Sequence, residues 1–337
     1  MDQRNTGAGP SPENILRIST GHWAAQILSS AVHFDIFTHL EAGPADAGDL
    51  ARRANISSRG AQALLDGALG LGLVSLSRGK YGNTDEASTF LVQGKPTFLG
   101  FAGMAGIDWQ SWTGLNAAIK RGGTPLEVSS YEQEELDFWE KLVLAIAPLA
   151  HPTAQAAAER LGLANRGPFQ MLDLGGGSGA WSASWLSINR DARSTQLDWH
   201  NVNHIAEHYV ERFGVLDRFT MCDGNLLVAE LGEERYDYVI YSHIAHGLSV
   251  EQNRDVLARV RRALRPGGAV VISDFVLEDD RQGHPMALMF YANMLHGTEH
   301  GQTYTASDYR SWLTDVGFAE VEIQHLAPQP VSLVYGR

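Results

Sequence analysis

The sequence predicts an α/β protein in two parts: a C-terminal half built on a parallel sheet and an N-terminal half that is mainly helical. Three observations predict this. Residues 171–179, Met-Leu-Asp-Leu-Gly-Gly-Gly-Ser-Gly, carry an apolar run into an acid and then a glycine-rich turn, and Ala180, Trp181, Ser182, Ala183 and Trp185 follow as a helix. Further apolar runs come after it, separated by helix-like segments. Upstream of residue 166, apolar residues recur at helical spacing instead.

In chain order, the stretch through Pro12 is rich in Gly, Pro, Asn and Ser, and is expected to be disordered. Ile15, Ile18, Trp23, Ile27, Leu28, Ala31, Phe34 and Ile36 mark one expected helical run from Ile15 to Phe37. Asp46–Ala54 and Ser58–Leu71 read as two short helices, with Ser58 as the expected N-cap of the second. Leu73–Thr84 reads as a hairpin turning at Arg78-Gly79, which completes a winged-helix pattern. Expected helices from about Glu132 to Ala150 and from Pro152 to Leu161 lead to Asn165-Arg166-Gly167-Pro168. The domain boundary is placed there, giving domains 1–166 and 167–337.

In the second half, Ser194–Asp198 reads as the second strand and Arg218–Cys222 as the third, with Asp223 after it. Tyr236–Tyr241 reads as the fourth. A helix over Arg254–Leu264 and the break Arg265-Pro-Gly-Gly precede a fifth, Ala269–Ser273, followed by Asp274. A strand, glycine-rich turn and helix N-terminus let backbone N–H groups approach a nucleotide-like ligand. The spacing Gly175-x-Gly177-x-Gly179 is one residue shorter than the dinucleotide fingerprint. Asp198 at a strand end suits a ribose diol, that of NAD as well as any other.

Composition narrows the classes. With 337 residues there is room for two domains, each with its own core. The formal net charge of −13 argues against nucleic acid or an anionic membrane as partner and fits a cytoplasmic protein. A winged-helix regulator is the competing reading, but residues 1–110 hold more acids than bases, and Arg52, Arg53 and Arg59 form their only basic cluster. Cys222 is the single cysteine, so no intrachain disulfide forms, and a buried apolar role is expected for it. No apolar run is long enough to span a membrane.

Leu172–Gly179, Asp198, Cys222-Asp223, Leu264–Gly268 and Gly317-Phe318 together resemble the class I S-adenosylmethionine (SAM)-dependent methyltransferases. From about Ile15 to Arg337 the chain resembles their small-molecule O-methyltransferases, which include caffeate, hydroxyindole and polyketide-tailoring enzymes. The resemblance implies a winged-helix dimerisation domain, a Rossmann-like SAM-binding domain and a homodimer. Val321–His325 and Val331–Tyr335 fit the family's closing antiparallel strands. It places Asp173, Gly175, Gly177, Asp198, Asp223, Gly224 and Ser242 at the cofactor, with Asp223 beside the adenine amino group. It gives His246 the place of the general base and Asp274 that of the carboxylate orienting it, with no metal required.

The chemistry agrees. A phenol of pKa ~10 is protonated at neutral pH, and histidine, ordinarily ~6.5, is a suitable base. The sequence departs from the family in two respects: Thr303, in His300-Gly-Gln-Thr-Tyr-Thr, stands where plant members carry a second acid, and Gly247 follows the base where the family often has Asp. Nitrogen or carbon methylation, a SAM-binding relative with other chemistry, and an NAD-dependent dehydrogenase therefore remain as alternatives. His243 is read as an adenine neighbour or a core contact. His200, His204 and His208 share one helix face and are read as solvated. His296-Gly-Thr-Glu-His300 matches a zinc-protease string, but its glycines weaken the helix that string needs. The acceptor pocket, expected as a slot for a small aromatic molecule between the halves, is expected to use Trp109, Phe138, Leu142, Met289, Asn293 and His296.

Overall fold

The computed structural model describes residues 10–103, 112–124 and 133–337, with the side chains of 101–102, 133–138 and 140 outside the description. Trp109 and the side chain of Phe138 therefore lie outside the described residues. The chain forms two compact units, Met1–Gln110 and Ser111–Arg337.

In the first unit the expected single helix is three: α1 (Glu13–Ser19), α2 (Gly21–His33) and α3 (Ile36–Glu41). The Thr20 hydroxyl donates to Leu16 O at 2.9 Å and Gly21 follows, which breaks the run. Asp35, at φ 53°, makes the second break. Helix α4 (Ala47–Ala54) starts at Asp46, whose carboxylate accepts from Asp49 N. Helix α5 (Ser58–Gly70) is capped by Ser57 rather than Ser58, because Ser57 is extended and its Oγ accepts from Gly60 N at 3.0 Å. Strands β1 (Val74–Ser77) and β2 (Lys80–Asn83) form the expected hairpin. Arg78 and Gly79 both have positive φ, as a two-residue turn of this twist requires. Helix α6 (Asp85–Phe90) follows. Ile36, Phe37, Leu40, Leu50, Leu65 and Val74 build the core of this unit.

The second unit begins with α7 (Leu115–Arg121), closed by Gly122 at φ 85°. Helix α8 (Gln133–Leu161) runs unbroken through Pro148 and Pro152, where the sequence predicts two helices divided between Ala150 and Pro152. Its buried alanines, Ala154, Ala157 and Ala158, pack beside Trp185, whose indole N–H donates to Ala154 O at 2.8 Å. Packing thus offsets the lost backbone bonds. Because α8 packs on the α/β layer, the compact units divide before it, whereas the sequence placed the division after it, at 166/167.

The seven-stranded sheet has the order β5-β4-β3-β6-β7-β9-β8. Its strands are β3 (Gln170–Leu174), β4 (Arg193–Asp198), β5 (Phe219–Asp223), β6 (Tyr236–Ser242), β7 (Leu264–Asp274), β8 (Val321–His325) and β9 (Ser332–Gly336). The first five are parallel, and β9 runs antiparallel to both β7 and β8. Strand β7 starts earlier than predicted: Leu264 pairs with Tyr236, the register then shifts, and Ala269 pairs with Tyr238. The remaining helices are α9 (Ala180–Ile188), α10 (His200–Glu211), α11 (Val250–Ala263), α12 (Pro285–Gly297) and α13 (Ala306–Asp315). Cys222 is exposed rather than buried, because β5 is the edge strand. The chain reverses direction across the sheet between β3 and β6, so a ligand crevice opens at their carboxyl ends.

Candidate active site

The glycine-rich turn closes β3 against that crevice. Gly175, Gly177 and Gly179 all have positive φ. A Cβ on Gly175 would meet Ile244 at 2.7 Å. Gly175 N donates to Leu197 O, and Gln196 Nε2 donates to Gly177 O at 3.1 Å. Asp173 faces inward, accepting from Ser182 N at 3.2 Å and Ser182 Oγ at 2.7 Å. Asp198 accepts from Gly177 N at 2.9 Å and Trp199 N at 2.8 Å. Burial lifts the pKa of each acid to about 6. Among the described residues no cationic side chain pairs with either, so a cationic ligand carrying hydroxyl donors suits this edge.

Asp223 ends β5 and is more open. Asn203 Nδ2 donates to it at 2.8 Å and His200 Nδ1 lies 2.7 Å away, and these bonds hold its pKa below the ordinary range. Gly224 N donates to Asp198 O, tying the ends of β4 and β5 together. Ser242 ends β6 opposite Ser273. Leu142 is half-buried on α8, and its neighbour Val143 lies against Gly177. No sequence pattern marks Asn203, which joins Gln196, Asp198, Cys222 and Asp223 in one network.

His246 and Asp274 meet as the sequence predicts. Their Nδ1 and Oδ1 atoms lie 2.7 Å apart, and His246 N donates to Oδ2 of the same carboxylate at 3.1 Å. Phe275 N adds a third bond to Asp274 at 2.8 Å. Burial opposes the charge on Asp274, but His246, His243 and the Phe275 amide together hold its pKa below the ordinary value. Two aromatic rings border the imidazole. Phe290 lies 4.9 Å from it, and Phe275 stacks on Phe290 at 4.1 Å. The fold also brings His243 here, its ring 6.0 Å from that of His246. Burial depresses its pKa to about 4.

Thr303 is buried, and its hydroxyl has no partner among the described residues. Gln302 N donates to His246 O at 2.8 Å, so this segment runs directly beside the base. A Cβ on Gly301 would lie 2.5 Å from that same carbonyl, a requirement invisible in the sequence. Met289 is 64% exposed, and Phe290 rather than Met289 approaches the base. His296 is buried, 3.2 Å from Asn293 Oδ1 and with its ring 4.4 Å from that of Trp112. The string from His296 to His300 leaves the helix at Gly297, as the sequence predicts. His204 and His208 are on α10, their rings 4.7 Å apart.

Residues 161–319 match the O-methyltransferase domain, and residues 16–93 match the O-methyltransferase dimerisation domain. The chain is 30% identical to the 3-hydroxy-5-methyl-1-naphthoate 3-O-methyltransferase of Streptomyces sahachiroi, over 96% of this chain and 95% of that protein. It is 28% identical to the tetracenomycin polyketide synthesis 8-O-methyltransferase of Streptomyces glaucescens, over 97% and 96%. The fold is that of human N-acetylserotonin methyltransferase solved in complex with SAM, at TM-score 0.85 and 23% identity, covering 99% of each chain. The chain belongs to the O-methyltransferase family and is a SAM-dependent methyltransferase.

Proposed function

We propose that the enzyme methylates a hydroxyl of a small aromatic acceptor, with His246 as general base and Asp274 as the carboxylate that orients it. The 2.7 Å contact between His246 Nδ1 and Asp274 carries this reading. A carboxylate at Nδ1 fixes the proton there and leaves the Nε2 lone pair free to take one. Asp274 then balances the charge that forms on the ring, and its burial makes that pairing strong. SAM supplies a methyl group on a sulfonium, a leaving group that needs no activation. The residues of the chain hold and align. Asp198 would accept from the ribose hydroxyls, Asp223 would face the adenine edge, and the glycine-rich turn would let the ligand approach the backbone closely. Asp173 supports that turn from behind through Ser182. Phe290 and Asn293 border the acceptor. The naphthoate relative acts on an aromatic hydroxyl by its name, which supports the acceptor class. The dimerisation domain supports a homodimer formed through the N-terminal unit.

His246→Ala tests the mechanism. The expected loss is roughly 10²–10⁴ in kcat, with SAM affinity unchanged and partial recovery at alkaline pH as the phenol ionises unaided. Asp274→Asn should cost less. Full activity in His246→Ala would overturn the reading and point to an acceptor that needs no deprotonation, where alignment alone suffices.

A further inference from the structure

His243, His246 and Asp274 each offer one ligating atom, and the three atoms lie within 4.8 Å of one another. The base reading accounts for two of these residues. His243 stands outside it, yet the chain holds it at φ 56°, a conformation uncommon for any residue but glycine and one that clusters at functional sites. Its backbone N–H donates to Ser273 O at 2.8 Å, which fixes it beside the end of β7. Two imidazoles and a carboxylate form a donor set suited to a first-row transition ion, Zn²⁺ above all.

Zn–N and Zn–O bonds of about 2.0–2.2 Å place donors of a tetrahedral site roughly 3.3 Å apart. The His246–Asp274 pair is already closer than this, and no separation among the three donors exceeds 4.8 Å. We infer that these three residues form an inhibitory site for a divalent transition ion, which competes with the acceptor's proton for His246. Binding removes no proton from the protein: the proton that His246 Nδ1 carries against Asp274 moves to Nε2, Nδ1 gives its lone pair to the ion, and Nε2 can then take no proton from the acceptor. Mg²⁺, which prefers an octahedral oxygen shell, should not compete. The inhibitory consequence rests on His246 being the base, whereas the binding rests on the three donors alone.

The test is a calorimetric titration of the full-length protein with Zn²⁺, paralleled by activity at each point. One equivalent should bind, activity should fall with occupancy, a chelator should restore it, and Mg²⁺ should do neither. His243→Asn keeps a residue that tolerates positive φ. It should weaken Zn²⁺ at least about tenfold, each variant being read against its own metal-free rate. A double variant, His204→Asn with His208→Asn, should bind as the parent does, since those two form the competing surface pair. Co²⁺ in the unaltered protein should give the visible absorption of a low-coordinate site, independently of any variant. Unchanged affinity in His243→Asn, loss of binding in the surface double variant, or no Co²⁺ absorption would each overturn the site. One equivalent bound through His243 without inhibition would leave the site standing and overturn His246 as the base.

Discussion

Asp198 links protonation to cofactor binding. Burial lifts its pKa from 3.8 to about 6. The folded chain thus keeps a proton that the unfolded chain releases between those values, and this group's contribution to stability falls as pH rises through that window. A cationic cofactor favours the ionised form. SAM affinity should be flat above about pH 7 and weaken by up to about tenfold per unit below about pH 6, as calorimetry across that range would show. Asp198→Asn should lower the plateau and flatten the slope. Gly301 sets a second test. Alanine there would drive a methyl group into His246 O, so Gly301→Ala should lower kcat while SAM affinity holds. The pairing of His246 with Asp274 was legible through the family resemblance, which places one just beyond the fourth parallel strand and the other at the end of the fifth. Gly301 and Asn203 were not, because their roles arise from contacts between segments far apart in sequence.

Elements were legible where local chemistry agrees with packing. The hairpin at Arg78-Gly79 and the short helix after Asp46 follow from short-range rules, and both form. Ser249 offers a cap the sequence reading passed over. Its Oγ accepts from Gln252 N, and the Gln252 side chain accepts from Ser249 N, closing a capping box on α11. Ser249→Ala should destabilise the protein by about 1 kcal/mol in urea unfolding without altering cofactor affinity. Helix α8 shows the opposite case. Pro152 argues for a fresh helix start, and tertiary burial of Ala154, Ala157 and Ala158 overrides it. The expected helix over Ile15–Phe37 failed the other way: apolar spacing continues through Thr20 and Asp35, but the backbone does not.

For the whole molecule, the parallel strands could be read in order, while the insertion of β9 between β7 and β8 could not, since strand order depends on pairings that periodicity does not encode. Ile15, Leu16, Ile18 and Trp23 are all more than half exposed. An apolar surface of this kind on a dimerisation domain is expected to be covered by a second copy. Light scattering at micromolar concentration should give a dimer mass, and Trp23→Glu should lower it. A monomer mass for the parent would remove the proposed homodimer.

The double grip of Asp274 on one residue, through both the His246 amide and its ring nitrogen, leaves the imidazole almost no freedom to swing. An immobile base cannot search an acceptor for a reactive oxygen, so the acceptor must bring the oxygen to it. The choice among several hydroxyls on one ring would then be made by the walls that seat the ring, not by the dyad. Changes of methylation position during divergence should accordingly accumulate on α12, around Phe290 and Asn293, while His246 and Asp274 stay as they are.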